Sequence, residues 1–320
     1  MLEVVRPGAC LTIQDLGRWG WAGLGVSPSG AMDARAHAVA NRLVGNPPGA
    51  AALEVTGPGC ELVFLEEVSC ALAGGDLGAE LDGRALPACW VGKIGAGGRL
   101  RFPVRRRGAR VSVALAGGLA APLALGSAAS DLGGGLGPPP LRARDRLAVS
   151  WPEIASEERR GVSDAGVGSQ EHLQRAYAAL WEGWAFPLEL RFLPVADPDP
   201  QISSALQIAS ESTFRLSPQS NRVGFRFEGP ALPVAPDPTR LSEPTAPGTI
   251  QVPGDGRPIV LMADRNTTGG YAKLGYLASA DVWKAAQLWP GDQIRFHAIP
   301  ERAAVDLYRA QEAAFSSVAT

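Results

Sequence analysis

The sequence predicts a mainly β protein built as barrels or sandwiches, with few helices. Glycine (39 residues) and proline (27) recur along the 320-residue chain, and both interrupt long regular elements. Between them stand short β-like runs: "CELVFLEEVSCALAGG", "GARVSVALAGG", "GTIQV", "RPIVLMA" and "GDQIRFHAI". Many short strands at close spacing argue against a doubly wound α/β sheet.

Taken in chain order, "GAMDARAHAVANRLVGN" sets Ala36, Val39, Ala40 and Leu43 at helical spacing, with Gly45 as a stop. "LDGR" (Leu81 to Arg84) holds the Asp-Gly pair that favours a tight hairpin turn. No residue between Arg110 and Asp131 is charged, a length that suggests a membrane span. Its three glycines, one proline and three serines predict a strand, a Gly-Gly turn and a loop instead. A second helix is predicted over "SQEHLQRAYAALWEGWA" and a third over "SADVWKAAQLWPGD", ended by Pro290-Gly291. "ERAAVDLYRAQEAAF" predicts a C-terminal helix. "SWPEIASEERRGVSDAGVGS" is charged and turn-rich. Residues 151–187 are therefore expected to connect, through a helix, a β domain at 1–150 and another at 188–320.

Composition removes several function classes. With 46% hydrophobic and 19% charged residues the chain reads as soluble and globular. A net charge of −2 gives no case for nucleic acid or an anionic membrane as partner. The one basic cluster, "RFPVRRRGAR" (Arg101, Arg105, Arg106, Arg107, Arg110), suits a solvated hairpin face or an anion or partner surface. Cys10, Cys60, Cys70 and Cys89 lack CxxC spacing and read as reduced thiols. The start "MLEVVRPGACLTIQDLG" has no apolar core of a signal peptide, so a cytoplasmic location is expected. His37, His172 and His297 lie far apart, and no metal site is expected. Walker, dinucleotide-binding and nucleophile-elbow motifs are missing, which disfavours a self-contained hydrolase or dehydrogenase of familiar kinds.

Three stretches pack polar groups into turn-rich backbone. "TIQDLGRWGWAGLGVSPSGAMD" carries Gln14, Asp15, Arg18, Ser27, Ser29 and Asp33, and "SPQSNRVGFRFEGP" carries Ser217, Ser220, Asn221, Arg222 and Arg226. In the third, an apolar strand from Ile259 to Ala263 delivers Asp264, Arg265 and Asn266 to its end. The following Thr267-Thr268-Gly269-Gly270 lets backbone N–H groups converge on an oxygen without Cβ interference, and Lys273 can add a point charge. The same loop also reads as a glycine hairpin whose Asn and Thr bond their own backbone.

"TIQDLGRWGWAGLGVSPSGAMD", "ANRLVGNPPGAAALEVTGPG", "SPQSNRVGFRFEGP", "PGTIQVPGDGRPIVLMADRNTTGGYAKLG" and "AQLWPGDQIRF" occur in this order. Together they resemble the family called allophanate hydrolase subunit 2, or biotin-dependent carboxyltransferase-like proteins, over almost the whole chain. The resemblance implies two cyclophilin-like β-barrel domains. It also implies one component, inactive alone, of an ATP-dependent 5-oxoprolinase that works with the A and B subunits and uses ATP with Mg. Carried over by position, Lys273, Arg222 and Glu243 would be catalytic. Asn266, Thr267, Thr268, Gly269, Gly270, Tyr271, Gln251, Asp15 and Arg18 would bind substrate or nucleotide. Amides at Gly269 and Gly270 with Lys273 would hold a phosphate or carbonyl oxygen, Arg222 a carboxylate or phosphate, and Glu243 would handle metal–nucleotide or a proton. Related members imply alternatives: a carboxyltransferase-like, biotin-binding component of a urea-carboxylase-type system, or a regulatory module antagonising a kinase inhibitor. The chain has "GGYAK" where the family usually has Gly-Gly-Tyr-Pro-Lys, and "SNRVG" where it usually has Ser-Asp-Arg-Met-Gly. These departures bear on the substrate.

Overall fold

A computed structural model describes residues 1–150, 167–196, 200–234 and 239–316, so part of the expected connector, 151–166, lies outside the described residues. The mainly β expectation holds, and among the described residues no helix is long and apolar enough to cross a membrane. Two compact units divide the chain. The first comprises Met1–Arg18, Ser29–Glu182 and Phe315–Thr320, and the second Trp19–Pro28 and Gly183–Ala314.

The first unit holds its strands in two sheets. One has the spatial order Arg146–Leu147, Leu2–Pro7, Cys60–Phe64, Arg99–Phe102, Glu80–Leu81, Arg84–Ala85; the other is Cys10–Gln14, Ala52–Thr56, Arg107–Leu115, Val68–Asp76, Trp90–Ile94. Strand Arg99–Phe102 shows the two-residue period, burying Leu100 and Phe102 while exposing Arg99 and Arg101. Leu62, Phe64, Leu72 and Val113 join Leu100 and Phe102 in one apolar core. The charge-free stretch forms the end of strand Arg107–Leu115, from Val111 on, followed by a turn at Gly117 and Gly118, both at positive φ. Asp82 and Gly83 also take positive φ, giving the tight turn that the Asp-Gly pair predicts. At Gly74 a Cβ would lie 2.3 Å from the Arg110 carbonyl oxygen, so only glycine fits beside the irregularity in that pairing. Helix Ala34–Leu43 starts where the Asp33 carboxylate accepts from the Ala36 N–H at 2.8 Å. It buries Ala36, Val39, Ala40 and Leu43 and packs on strands Val68–Asp76 and Arg107–Leu115. Val167–Ala179 forms the second expected helix. All four cysteines are free.

The second unit is a closed barrel: Leu188–Pro194, Ala272–Leu277, Thr249–Val252, Ile259–Leu261, Gly224–Glu228, Phe214–Leu216, Gln293–Ala298. Parallel pairing from Leu188↔Ile294 to Phe192↔Ala298 closes the ring. Phe192, Phe214 and Phe227 surround Phe296 with ring centroids 6.0, 5.6 and 5.9 Å away. Asp281 ties three elements together. Arg191 donates to its carboxylate from N, Nε and Nη2 at 2.9, 2.8 and 2.5 Å, and Lys284 Nζ stands 3.0 Å away. The third expected helix shrinks to a 3-10 turn, Ser279–Asp281, and one short helix, Val282–Ala286. Pro290 disfavours helical backbone at Trp289, whose N–H is instead taken by Asp292 at 2.9 Å. Helix Pro200–Glu211, unforeseen from the sequence, buries Ile202, Ala205 and Ala209 and packs on strand Gln293–Ala298. Glu301–Ser316 is the expected C-terminal helix.

Candidate functional site

Residues 262–271 leave the barrel after strand Ile259–Leu261 and return to it at strand Ala272–Leu277. On the way Thr268–Gly269 pairs with Glu243–Pro244 as a two-stranded ribbon, Glu243 opposite Gly269. Lys273 stands opposite Gln251 in the barrel, which turns both side chains to one face. Its Nζ donates to Glu243 Oε2 at 2.7 Å and to the Pro244 carbonyl at 3.0 Å. The pair is lopsided: the Lys273 side chain is 8% exposed and that of Glu243 56%. Gln251 is buried, and its Nε2 has no hydrogen-bond partner among the described residues. A Cβ on Gly269 would fall 2.5 Å from that nitrogen, so glycine keeps the space before the amide open. Four sequence-predicted residues, Lys273, Glu243, Gln251 and Gly269, are thereby brought together.

The rest of the loop is anchored through its backbone. Thr245 donates its hydroxyl to the Asn266 carbonyl and its N–H to the Thr267 carbonyl, the latter at 3.0 Å. Asn266, Thr268 and Tyr271 are exposed, Thr267 is half-buried, and the Gly270 position faces Ser242 Oγ. Arg222 meets a carboxylate of its own chain: Nε and Nη2 fork onto Asp264 at 3.0 and 3.1 Å. The next residue, Arg265, has no role predicted from the sequence. It is 5% exposed, its Nε has no partner among the described residues, and burial pushes its pKa down. Its position between the buried strand and the glycine loop was the available signal.

Asp15 and Arg18 belong to the first unit and hold the 124–131 segment there. Asp15 accepts from Gly17 N, Ser127 Oγ and Ala128 N, each at 2.7 Å. Arg18 donates from Nε to Ala124 O at 3.3 Å and from Nη2 to Ala129 O, with Asp131 at 4.0 Å from Nη1. Basic side chains of that unit have local partners too. Glu61 receives Arg6, Arg99 and Arg101 at 2.7, 2.9 and 3.1 Å, and Arg107 lies over the Trp181 ring at 4.8 Å.

A family model described as carboxyltransferase domain, subdomains A and B, matches residues 24–298. The chain belongs to that carboxyltransferase-domain family. Its similarity to the C subunit of 5-oxoprolinase from Escherichia coli K12 is 35% identity, covering 92% of this chain and 90% of that protein. The crystal structure of TTHA0988 matches with a TM-score of 0.74 and 34% identity, over 92% of this chain and 55% of that one. The crystal structure of the K. lactis urea amidolyase matches with a TM-score of 0.84 and 26% identity, over 99% of this chain and 20% of that one. This carboxyltransferase-domain chain thus spans about half of the first solved structure and a fifth of the second. In it, one barrel face offers a buried ammonium, a buried amide donor and a half-exposed carboxylate. Such a set can steady charge developing on an oxygen and pass a proton to water. Among the described residues no group of three or more His, Cys, Asp or Glu side chains gathers as a metal cage.

Proposed function

We propose that this chain is the C subunit of an ATP-dependent 5-oxoprolinase. With the A and B subunits it converts 5-oxoproline, ATP and water into glutamate, ADP and phosphate in the cytoplasm. The observation that carries the reading is sequence identity: 35% with the E. coli C subunit, against 26% with the K. lactis urea amidolyase. A lactam amide resists water. Transfer of the terminal phosphoryl group of ATP to its carbonyl oxygen would activate that carbon. Addition of water and cleavage of the ring C–N bond, the nitrogen taking a proton, would leave an acyl phosphate, from which a second water releases phosphate to give glutamate. Lys273 and the Gln251 amide suit the oxygen on which charge gathers, and Glu243 suits proton transfer or the metal of the nucleotide. ATP and Mg are supplied at the level of the complex. The test is 5-oxoproline-dependent ADP release by the chain alone and with homologues of the A and B subunits. Release only in the full mixture is expected; none, with all three proteins folded, overturns the reading.

A second reading is a carboxyltransferase-like component that takes its carboxyl group from biotin carried on another chain. The family model and the 0.84 TM-score to urea amidolyase favour it. Saturable binding of free biotin, without 5-oxoproline-dependent ADP release, would select it.

A further inference from the structure

Arg265 carries a charge that nothing above employs. Its side chain is buried although the loop residues Asn266 and Thr268 that follow are exposed, and among the described residues its Nε meets no acceptor. The adjacent carboxylate, Asp264, already takes the fork of Arg222 at 3.0 and 3.1 Å. Arginine does not escape burial by losing its proton, so a buried guanidinium needs a counter-charge or remains a standing cost. The downward push of burial on its pKa has the sign expected when that counter-charge is missing. Gln251 repeats the pattern on the barrel wall: a buried donor with no acceptor among the described residues, facing room that a Cβ at Gly269 would close. Arg265 at the start of the loop and Gln251 beside Gly269 near its end are thus both buried donors without an acceptor among the described residues.

We propose that Arg265 anchors an oxyanion site at the root of the Asn266–Tyr271 loop, taking a carboxylate or phosphate group of the ligand. This deepens the 5-oxoprolinase reading by naming the charge the site recognises, and rests on that reading only for the choice of probes. In this site Arg265 supplies the charge at the start of the loop, and the Gln251 amide beside Gly269 is a second donor near its end. The substrate's carboxylate and the nucleotide's phosphate share this chemistry, and the probes separate them.

The experiment is thermal unfolding of the isolated chain titrated with inorganic phosphate, 5-oxoproline or ADP, at constant ionic strength over a chloride background. At least one probe should raise the wild-type Tm saturably, and its identity names the source of the oxyanion. Arg265→Met should weaken that response at least ~10-fold. The same substitution should raise the Tm measured without anion, because it removes a buried charge that had no partner. A residue of purely structural use would do the opposite: a lower anion-free Tm and an unchanged saturation curve. That outcome overturns the proposal, as does a wild type that responds to no probe beyond chloride. If Arg265→Met fails to fold, Arg265→Lys decides, since it keeps the charge and loses the fork; wild-type saturation by the lysine variant also overturns it. Saturable binding without ADP release in the mixture of all three proteins would remove the 5-oxoprolinase reading and leave this site standing.

Discussion

Lys273 and Glu243 differ in their solvent, and that difference decides what each substitution does. Glu243 keeps most of its hydration, so their ion pair contributes little net stability despite its 2.7 Å contact. Lys273→Met should lower the unfolding free energy measured in urea by no more than about 1–2 kcal/mol while abolishing ADP release by the assembled complex. Unchanged turnover would take the lysine out of the mechanism. Arg222 is the contrasting case, because both members of its pair are buried. Arg222→Ala removes both fork bonds to the buried Asp264 carboxylate and should cost about 3 kcal/mol or more in urea unfolding; a loss under ~1 kcal/mol would mean that the other contacts of that carboxylate suffice. A lysine after a glycine loop is legible in the sequence as a charge offered to a ligand. Its actual partner, 30 residues upstream, depends on a ribbon that no local pattern announces. The arginine in "SNRVG" has the same ambiguity. A fork prepared for a ligand and a fork bound to a carboxylate 42 residues on look alike until the strands are paired.

Among the elements, the ribbon Glu243–Pro244/Thr268–Gly269 fixes how closely the loop approaches the barrel wall. Gly269→Ala would drive a methyl carbon to within 2.5 Å of Gln251 Nε2. Because the obstructing atom is the free end of a flexible side chain, the variant should lose no more than about 1 kcal/mol, yet much of the complex's activity, as the amide is pushed aside. Shortening the obstructing side chain, in Gly269→Ala/Gln251→Ala, should restore stability to that of Gln251→Ala alone. If the two effects simply add, the contact is not what limits the loop. Local chemistry made several elements readable. Helix Ala34–Leu43 combines an Asp cap, apolar spacing and a glycine stop, and "LDGR" writes its own turn. Helix Pro200–Glu211 was hidden by "DPDP", which reads as a break although proline is well suited to a first helical turn. Closure of the barrel by a parallel pair between Leu188–Pro194 and Gln293–Ala298 joins residues about a hundred positions apart and leaves no local trace.

Across the whole molecule, acid should act on the two units in different pH windows. In the first unit His37 is fully buried, its Nε2 3.1 Å from Asn41 Nδ2, and burial lowers its pKa from 6.5 to about 4 against the opposing pull of Asp15. Between those values the unfolded chain binds the proton and the fold does not. The contribution of the neutral ring is therefore intact above 6.5 and lost as pH falls towards 4, by roughly 3 kcal/mol in all. In the second unit burial would raise the pKa of Asp281, but hydrogen bonds from Arg191 and the charge of Lys284 outweigh it and hold the carboxyl below 3.8. A depressed carboxyl keeps its full contribution above the unfolded value and loses it only as pH falls through the folded one. Hydrogen-exchange labelling, with a brief pulse at one fixed pH after incubation at each acid pH, reads both units at once. Strands between Leu2 and Leu115 should lose protection between pH 6.5 and 4, and the barrel strands from Leu188 to Ala298 only below 3.8. His37→Gln should flatten the first loss and leave the second in place. Simultaneous loss across both sets of strands above pH 4, or an unchanged slope in His37→Gln, would show that these two buried groups do not set the acid limits of the fold.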